Sequence, residues 1–324
     1  MTSTDRSLTL VVTGATGFLG RAIVEELESR NSKWNVVGTG LGRAFPPTIS
    51  LDLTNGPHMT KIITDLKPDI IIHSAAERRP DVAAKDPGAL YEVNVAASAE
   101  LAKLTSKLSV PMIYVSTDYV FDGTNSPYEP EDDTNPTNVY GISKRDGEVE
   151  VLKYNEKALV LRVPVMQLSN ELLISNKTRY GEVETSSESS INVLLEIVLN
   201  VSRQTEVKMD NWQIRYPTNT KDVGRVITDL SVMLLDKPDT VPPILHFSAS
   251  QKFTKYDICK IFGELLGVPI FHLKPVNTND HAQHGVMRPY DCYLSSKKLE
   301  SLGVSIKTAD FVQWWRKELL PARR

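Results

Sequence analysis

Apolar residues in the first half of the chain follow two alternating rhythms. Short, nearly unbroken apolar runs occur at 8–14, 34–38, 69–76 and 111–121, as in Ile70-Ile71-Ile72 and Met112-Ile113-Tyr114-Val115. Between them, segments at 18–29, 58–66 and 89–107 carry apolar residues at the three-to-four spacing of an amphipathic helix. Strands that are apolar on consecutive positions are those covered on both faces, so the alternation predicts βαβ units around a doubly wound, parallel sheet. A further helix is expected over 139–152, and a strand over 158–163 that stops at Pro164.

The rhythm then loosens. Residues 167–190 are polar, rich in Ser, Glu and Asn and without a period, which predicts a long loop or lid. Helices are expected at 191–201, 223–235, 255–266 (ended by Gly267) and 310–320, with strands at 243–247 and 270–273. The fold class is therefore α/β: a Rossmann-type, doubly wound parallel sheet over residues 1–166 and a smaller mixed lobe over 167–324, elements of which can return to the sheet.

Charge narrows the choice of partners. Lys and Arg number 37 against 40 Asp and Glu, a net charge of −3 with no long block of one sign, which argues against a nucleic-acid backbone or an anionic membrane as partner. Cys259 and Cys292 are too few for a disulfide framework or a cysteine-based metal site, which fits a reducing compartment. No stretch approaches the roughly 18 apolar residues of a membrane span. A soluble protein of the cytoplasm or nucleus is expected.

Chemistry first appears at residues 13–20, T-G-A-T-G-F-L-G, directly after the first strand. Gly14 and Gly17 let a backbone turn approach a pyrophosphate, Gly20 lets the following helix pack closely on the sheet, and the N–H groups at the helix start face the anion. A glycine-rich turn alone is weak evidence. A strand before it and a helix after it favour a dinucleotide site. Residues 36–43, V-V-G-T-G-L-G-R, hold no acid for an adenosine ribose, whereas Arg43 offers a guanidinium to a 2′-phosphate. NADP is thus expected ahead of NAD. Asp52 and Leu53 are placed near the adenine, and Ser74, Ala75 and Ala76 form a small-residue strand end past which the coenzyme runs.

Tyr140 and Lys144 stand one helical turn apart in Y-G-I-S-K and face one small volume. A nearby ammonium stabilises a phenolate and lowers its pKa. Ser116-Thr117-Asp118 ends a strand at the carboxyl edge of the sheet, so Thr117 is expected to bond the oxygen that Tyr140 protonates. Thr117, Tyr140 and Lys144 form a candidate catalytic set for carbonyl reduction by a nicotinamide hydride. Arg78 and Arg79 are placed to reach a coenzyme phosphate and a substrate or protein partner. His281 and His284 lack further ligands at suitable spacing and are read as solvated, with no metal site expected.

In order and spacing these motifs resemble the extended short-chain dehydrogenase/reductase family. V-S-T-D-Y-V-F-D-G at 115–123 is similar to its dTDP-4-dehydrorhamnose reductase branch. A-A-E-R-R-P-D-V at 75–82, F-D-G-T-N-S-P-Y at 121–128, M-D-N-W-Q-I-R-Y-P-T at 209–218 and F-T-K-Y at 253–256 resemble the regulatory β subunits of methionine adenosyltransferase. That resemblance implies NADP binding and association with a catalytic methionine adenosyltransferase subunit, which the β subunit modulates. It places the coenzyme on Thr16, Gly17, Phe18, Leu19, Leu41, Gly42, Arg43, Asp52, Leu53, Ser74, Arg78, Tyr140, Lys144 and Met166. Gly42 stands where β subunits tend to carry a second basic residue, which weakens strict NADP preference. The alternative implied by the branch is an NADPH-dependent reductase of a nucleotide-linked 4-keto sugar, and an epimerase would use the same set. A small-molecule ligand between sheet and lobe is expected in either case.

Overall fold

The computed structural model describes residues 7–78, 85–167, 189–200, 206–278 and 286–320. Among these, seven strands form a wholly parallel sheet in the order β3-β2-β1-β4-β5-β6-β10. They are β1 (Thr9–Thr13), β2 (Asn35–Gly40), β3 (Ile49–Ser50), β4 (Ile70–His73), β5 (Met112–Thr117), β6 (Ala158–Val163) and β10 (Ile244–His246). The order reverses direction between β1 and β4, which leaves a crevice at their carboxyl ends.

Side chains alternate across the pleat, so each central strand feeds two cores. Leu10, Val12, Ile70, Ile72, Ile113, Leu159 and Leu161 meet the helices α1 (Phe18–Arg30) and α7 (Thr220–Asp236) on one face. Val11, Ile71, Met112, Tyr114 and Val160 meet α2 (Gly56–Leu66), α4 (Ala97–Lys107) and α5 (Val139–Tyr154) on the other. The short α3 (Pro87–Tyr91) leads into α4 through a π-helical turn, Glu92–Ala96. Coverage on both sides is why these strands read as unbroken apolar runs. No helix among the described residues is long and apolar enough to cross a membrane.

Two later elements return to the sheet: β10 pairs with β6, and α7 lies on α1. A third core lies in the second half, where α6 (Asn192–Leu199), α8 (Lys255–Leu266) and α10 (Phe311–Leu319) surround Phe262, Phe311 and Trp315. Helix α8 ends at Gly267 in the left-handed region, as expected from the sequence, and begins with a Thr254–Asp257 capping box that the sequence reading did not single out. The strand expected at 270–273 is displaced. Phe271 is exposed, and β11 runs Leu273–Val276 in parallel with β8 (Val207–Asp210), which was not anticipated because its residues alternate with lysine and aspartate. Short strands β7 (Met166–Gln167) and β9 (Thr218–Asn219) and the helix α9 (Lys297–Ser301) also lack a readable period. Most of the predicted loop at 167–190 lies outside the described residues.

One ion pair is locked inside these layers. Arg162 of β6 forks onto Glu148 of α5, with Nη2 to Oε2 at 2.7 Å and Nε to Oε1 at 3.0 Å, both side chains being almost fully buried. Removing one member of such a pair strands a charge in a dry interior. Arg162→Met is expected to cost about 3–5 kcal/mol of stability, and Arg162→Met with Glu148→Leu to recover most of it, as read from urea denaturation.

Candidate functional site

The site starts from main chain. β1 runs into Gly14, whose φ of +69° lies in the left-handed region and whose added Cβ would sit 2.8 Å from the Ala75 backbone beyond β4. A Cβ on Gly20 would collide with the Gly14 carbonyl oxygen. Glycine at both positions therefore lets the first turn of α1 rest against the strand end. This corrects the sequence expectation for Gly20, whose close contact is with the glycine turn and not with the sheet. Gly17 caps α1 without a side-chain bond, and the first turn carries no acid. The positive end of the helix and its N–H groups are left to an anion.

A cleft of about 410 Å³ opens over this turn. Gly14, Thr16, Gly17, Phe18, Leu19 and Gly20 line it along the turn; Leu41 and Arg43 follow β2, and Asp52 and Leu53 follow β3. Ser74, Ala75 and Arg78 extend from β4, and Tyr140, Lys144 and Met166 line the cleft beside β5 and β6. Of the residues expected around a coenzyme, Gly42 alone does not line it. The Ser74 hydroxyl donates to the Thr13 carbonyl at 2.7 Å, tying the two strand ends together. Asp52 accepts from the Thr54 hydroxyl and backbone N–H at 2.7 and 2.9 Å, bonds that hold its carboxyl below the usual range.

A second cleft of about 330 Å³ shares Phe18, Arg78, Ser116, Tyr140 and Met166 with the first. Thr117, Asp118 and Tyr119 line it from the end of β5, with Gln213, Arg215, Lys255 and Arg288 from the second half of the chain. The sequence-predicted set is thus brought together where the two clefts meet, with Thr117 lining the second cleft, Lys144 the first and Tyr140 both.

The electrostatics differ from the sequence expectation. Burial pushes the Tyr140 hydroxyl up, opposed by its hydrogen bond with Thr117 and by Arg78. Lys144 is 3% exposed, with Nζ 3.9 Å from the centre of the Tyr114 ring. Burial lowers its pKa to about 7, opposed by the Glu148 charge. Desolvation of both groups outweighs the ammonium effect that the Tyr140–Lys144 spacing suggested. Burial also raises Asp118 to about 7, against a 3.0 Å hydrogen bond from the Thr117 hydroxyl.

Several site residues escaped the sequence reading. Asn94, on the π-helical turn, accepts from the Glu77 N–H at 2.9 Å and donates to the Glu77 carbonyl and the Ser143 hydroxyl, each at 3.0 Å. It clamps the exit of β4 to the helix that bears Tyr140 and Lys144. A lone Asn within a helical pattern carries no signal of that role. Ser116, which the sequence had placed at the end of β5 without a role of its own, lines both clefts with its buried hydroxyl unpaired. Gln213 donates to the Tyr119 hydroxyl at 3.0 Å, while Arg215 bonds Gln213 and, at 2.9 Å, Asp210. The W-Q-I-R-Y segment thereby forms an inner wall. Arg79, His281 and His284 lie outside the described residues.

The sequence model of the RmlD substrate binding domain family matches residues 8–319. The chain belongs to the RmlD family. Within that family it is similar to the methionine adenosyltransferase 2 subunit beta of Rattus norvegicus, with 38% identity over 299 residues covering 92% of this chain and 84% of that protein. The Danio rerio subunit beta is likewise 38% identical, over 96% of this chain and 90% of its own length. A dTDP-4-dehydrorhamnose reductase from Bacillus anthracis, solved in complex with NADP, shares the fold with a TM-score of 0.78 over 97% of this chain and 99% of that one, at 21% identity. The family resemblance read from the motifs is borne out.

The state of Asp118 gives a pH signature. Its carboxyl titrates higher folded than unfolded, so the native protein loses stability as pH rises from about 4 to about 7, where Asp118 charges in place. Asp118→Asn is expected to remove that loss: its advantage in denaturation midpoint over the native protein grows across this window and levels off above it.

Proposed function

We propose that this RmlD-family protein is an NADP-binding regulatory β subunit, which associates with the catalytic subunit of methionine adenosyltransferase in the cytoplasm or nucleus and modulates S-adenosylmethionine synthesis. The observation that carries the reading is identity of 38% to methionine adenosyltransferase 2 beta subunits spread across 92% of the chain. The geometry of the first cleft supports the coenzyme. Its floor is bare backbone that a Cβ would fill, the helix N-terminus above it is uncapped, and Arg43 lines the end where an adenosine 2′-phosphate would lie.

In this reading Gly14, Thr16, Gly17, Phe18, Leu19 and Gly20 hold the pyrophosphate, and Arg43 holds the 2′-phosphate. Leu41, Asp52 and Leu53 flank the adenine, Ser74, Ala75 and Arg78 the central phosphates, and Tyr140, Lys144 and Met166 the nicotinamide half. Gly42 is left without a coenzyme contact. The second cleft is left for a small-molecule ligand.

A second reading, an NADPH-dependent reductase of a nucleotide-linked 4-keto sugar, is supported by Thr117 and Tyr140 lining that cleft together. A bound nicotinamide supplies the hydride. Tyr140 would give its phenolic proton to the carbonyl oxygen while Thr117 orients that oxygen, and Lys144 would hold a ribose hydroxyl. The cost of a phenolate there keeps Tyr140 protonated at the outset and opposes release of its proton, so the phenolate would need the Lys144 charge beside it as it forms.

Calorimetry with NADP and NAD tests the coenzyme assignment. Arg43→Ala is expected to weaken NADP by roughly 10- to 100-fold, the loss of one charge-assisted contact worth about 1.5–3 kcal/mol, and to leave NAD unchanged. Equal loss for both coenzymes would remove the 2′-phosphate assignment. For the partner, the tagged protein should recover an S-adenosylmethionine synthetase at physiological salt, and its repeated recovery alone would count against the regulatory reading.

A further inference from the structure

Helix α5 carries Tyr140, Lys144 and Glu148 on successive turns of one face, and the reading above uses only the first two. Glu148 is 3% exposed, as deeply buried as the lysine. Its carboxylate cannot swing freely, because Arg162 grips both oxygens and is itself held elsewhere. Arg162 Nη1 lies 3.4 Å from the Pro130 carbonyl and 3.3 Å from His246 Nε2, and His246 Nδ1 lies 3.2 Å from the Tyr128 carbonyl. A ring nitrogen facing a carbonyl carries the proton, so Nε2 accepts from Arg162 and His246 is neutral, which agrees with the downward push of burial on its pKa. The guanidinium is thus fixed from β6, from β10 and from the loop before α5.

Lys144 is pinned on the other side. Its Nζ rests on the Tyr114 ring, and the Tyr114 hydroxyl abuts Gly147, where a Cβ would collide with it. The remaining titratable groups near Lys144 add no negative charge. Tyr140 stays protonated, Tyr114 is pushed up by burial, and burial together with Lys144 drives His73 down to about 3, leaving it neutral between the Thr13 and Ser98 hydroxyls. Asn94 and Ser143, which pack beside them, are uncharged. Among the described residues, Glu148 is the anion whose charge acts on Lys144.

We propose that Glu148, anchored by Arg162, is a positioning residue that keeps Lys144 charged and aimed at the coenzyme. The second half of that statement rests on the NADP reading, whereas the first does not. The arrangement gives the buried lysine a counter-charge without a direct salt bridge, which would neutralise its hydrogen-bonding head.

The test reads Lys144 directly, in coenzyme-free full-length protein labelled at lysine Cε and titrated by NMR, with the Lys144 signal assigned by its loss in Lys144→Met. In Glu148→Gln, which keeps the size of the side chain and an acceptor for Arg162, the Lys144 midpoint should fall by roughly one pH unit. NADP affinity, followed by calorimetry over the same range, should begin its decline with rising pH at a correspondingly lower pH. A purely structural role would lower the denaturation midpoint and leave the titration where it was, and an unmoved Lys144 midpoint overturns the proposal. A moved midpoint in a protein whose native form binds no NADP would support the hold of Glu148 on Lys144 while removing the coenzyme reading. Should Glu148→Gln not fold, Glu148→Asp, with its charge withdrawn from Lys144 by one carbon, should give a smaller fall in the same direction, and no fall is again decisive against it.

Discussion

Helix α1 begins where it does because two stretches of backbone touch with no side chain between them. The Gly14 turn lies against Ala75 on one side and against the first turn of α1 on the other, and neither contact survives a Cβ on Gly14 or Gly20. From that contact the rest is placed in order. It sets α1 over Leu10 and Val12, α1 receives α7 from the far half of the sequence, and β10 enters the sheet beside β6 shortly afterwards. The same contact leaves a floor of peptide groups at the carboxyl edge of the sheet, under a helix start with no side chain to cap it.

A second constraint is the placing of charge in dry surroundings. Helix α5 does not divide into an apolar and a polar face, because its inward side carries Tyr140, Lys144 and Glu148. Each of these has a compensating group: Thr117 for Tyr140, the Tyr114 ring for Lys144, and Arg162 for Glu148. Buried polar groups of this kind are tolerated when their hydrogen bonds are made and penalised when they are not. Ser116 is an exception at the centre of the site, since it lines both clefts while its buried hydroxyl is unpaired. An unmade bond there is consistent with a place meant for another molecule.

How much of this was readable beforehand depended on whether the signal was local. Strands such as 70–73 and 112–117 announced themselves by consecutive apolar residues, helix 255–266 by its closing glycine, and the turn at 13–20 by glycines between a strand and a helix. Some cleft residues could be named in advance because they sit at strand ends, whereas others, Leu41 and Met166 among them, came from the family resemblance alone. What escaped had no local signature. The clamp made by Asn94 depends on a π-helical turn that periodicity does not register. The pairing of β8 with β11 joins two segments separated by more than sixty residues, each short and half polar. The downward push of burial on the Lys144 pKa was missed because spacing along a helix says who is near, while the packing around the side chain decides what the proximity does.

The partition between the two clefts is made of Phe18, Arg78, Ser116, Tyr140 and Met166, side chains that face both ways. Whatever occupies one chamber therefore touches the boundary of its neighbour, and any rearrangement of that boundary is felt by both occupants. Thermodynamic reciprocity then requires that each guest alter the hold on the other by an equal factor. Were both chambers filled, the hold on each guest would register the other, a form of logic that neither chamber could deliver alone.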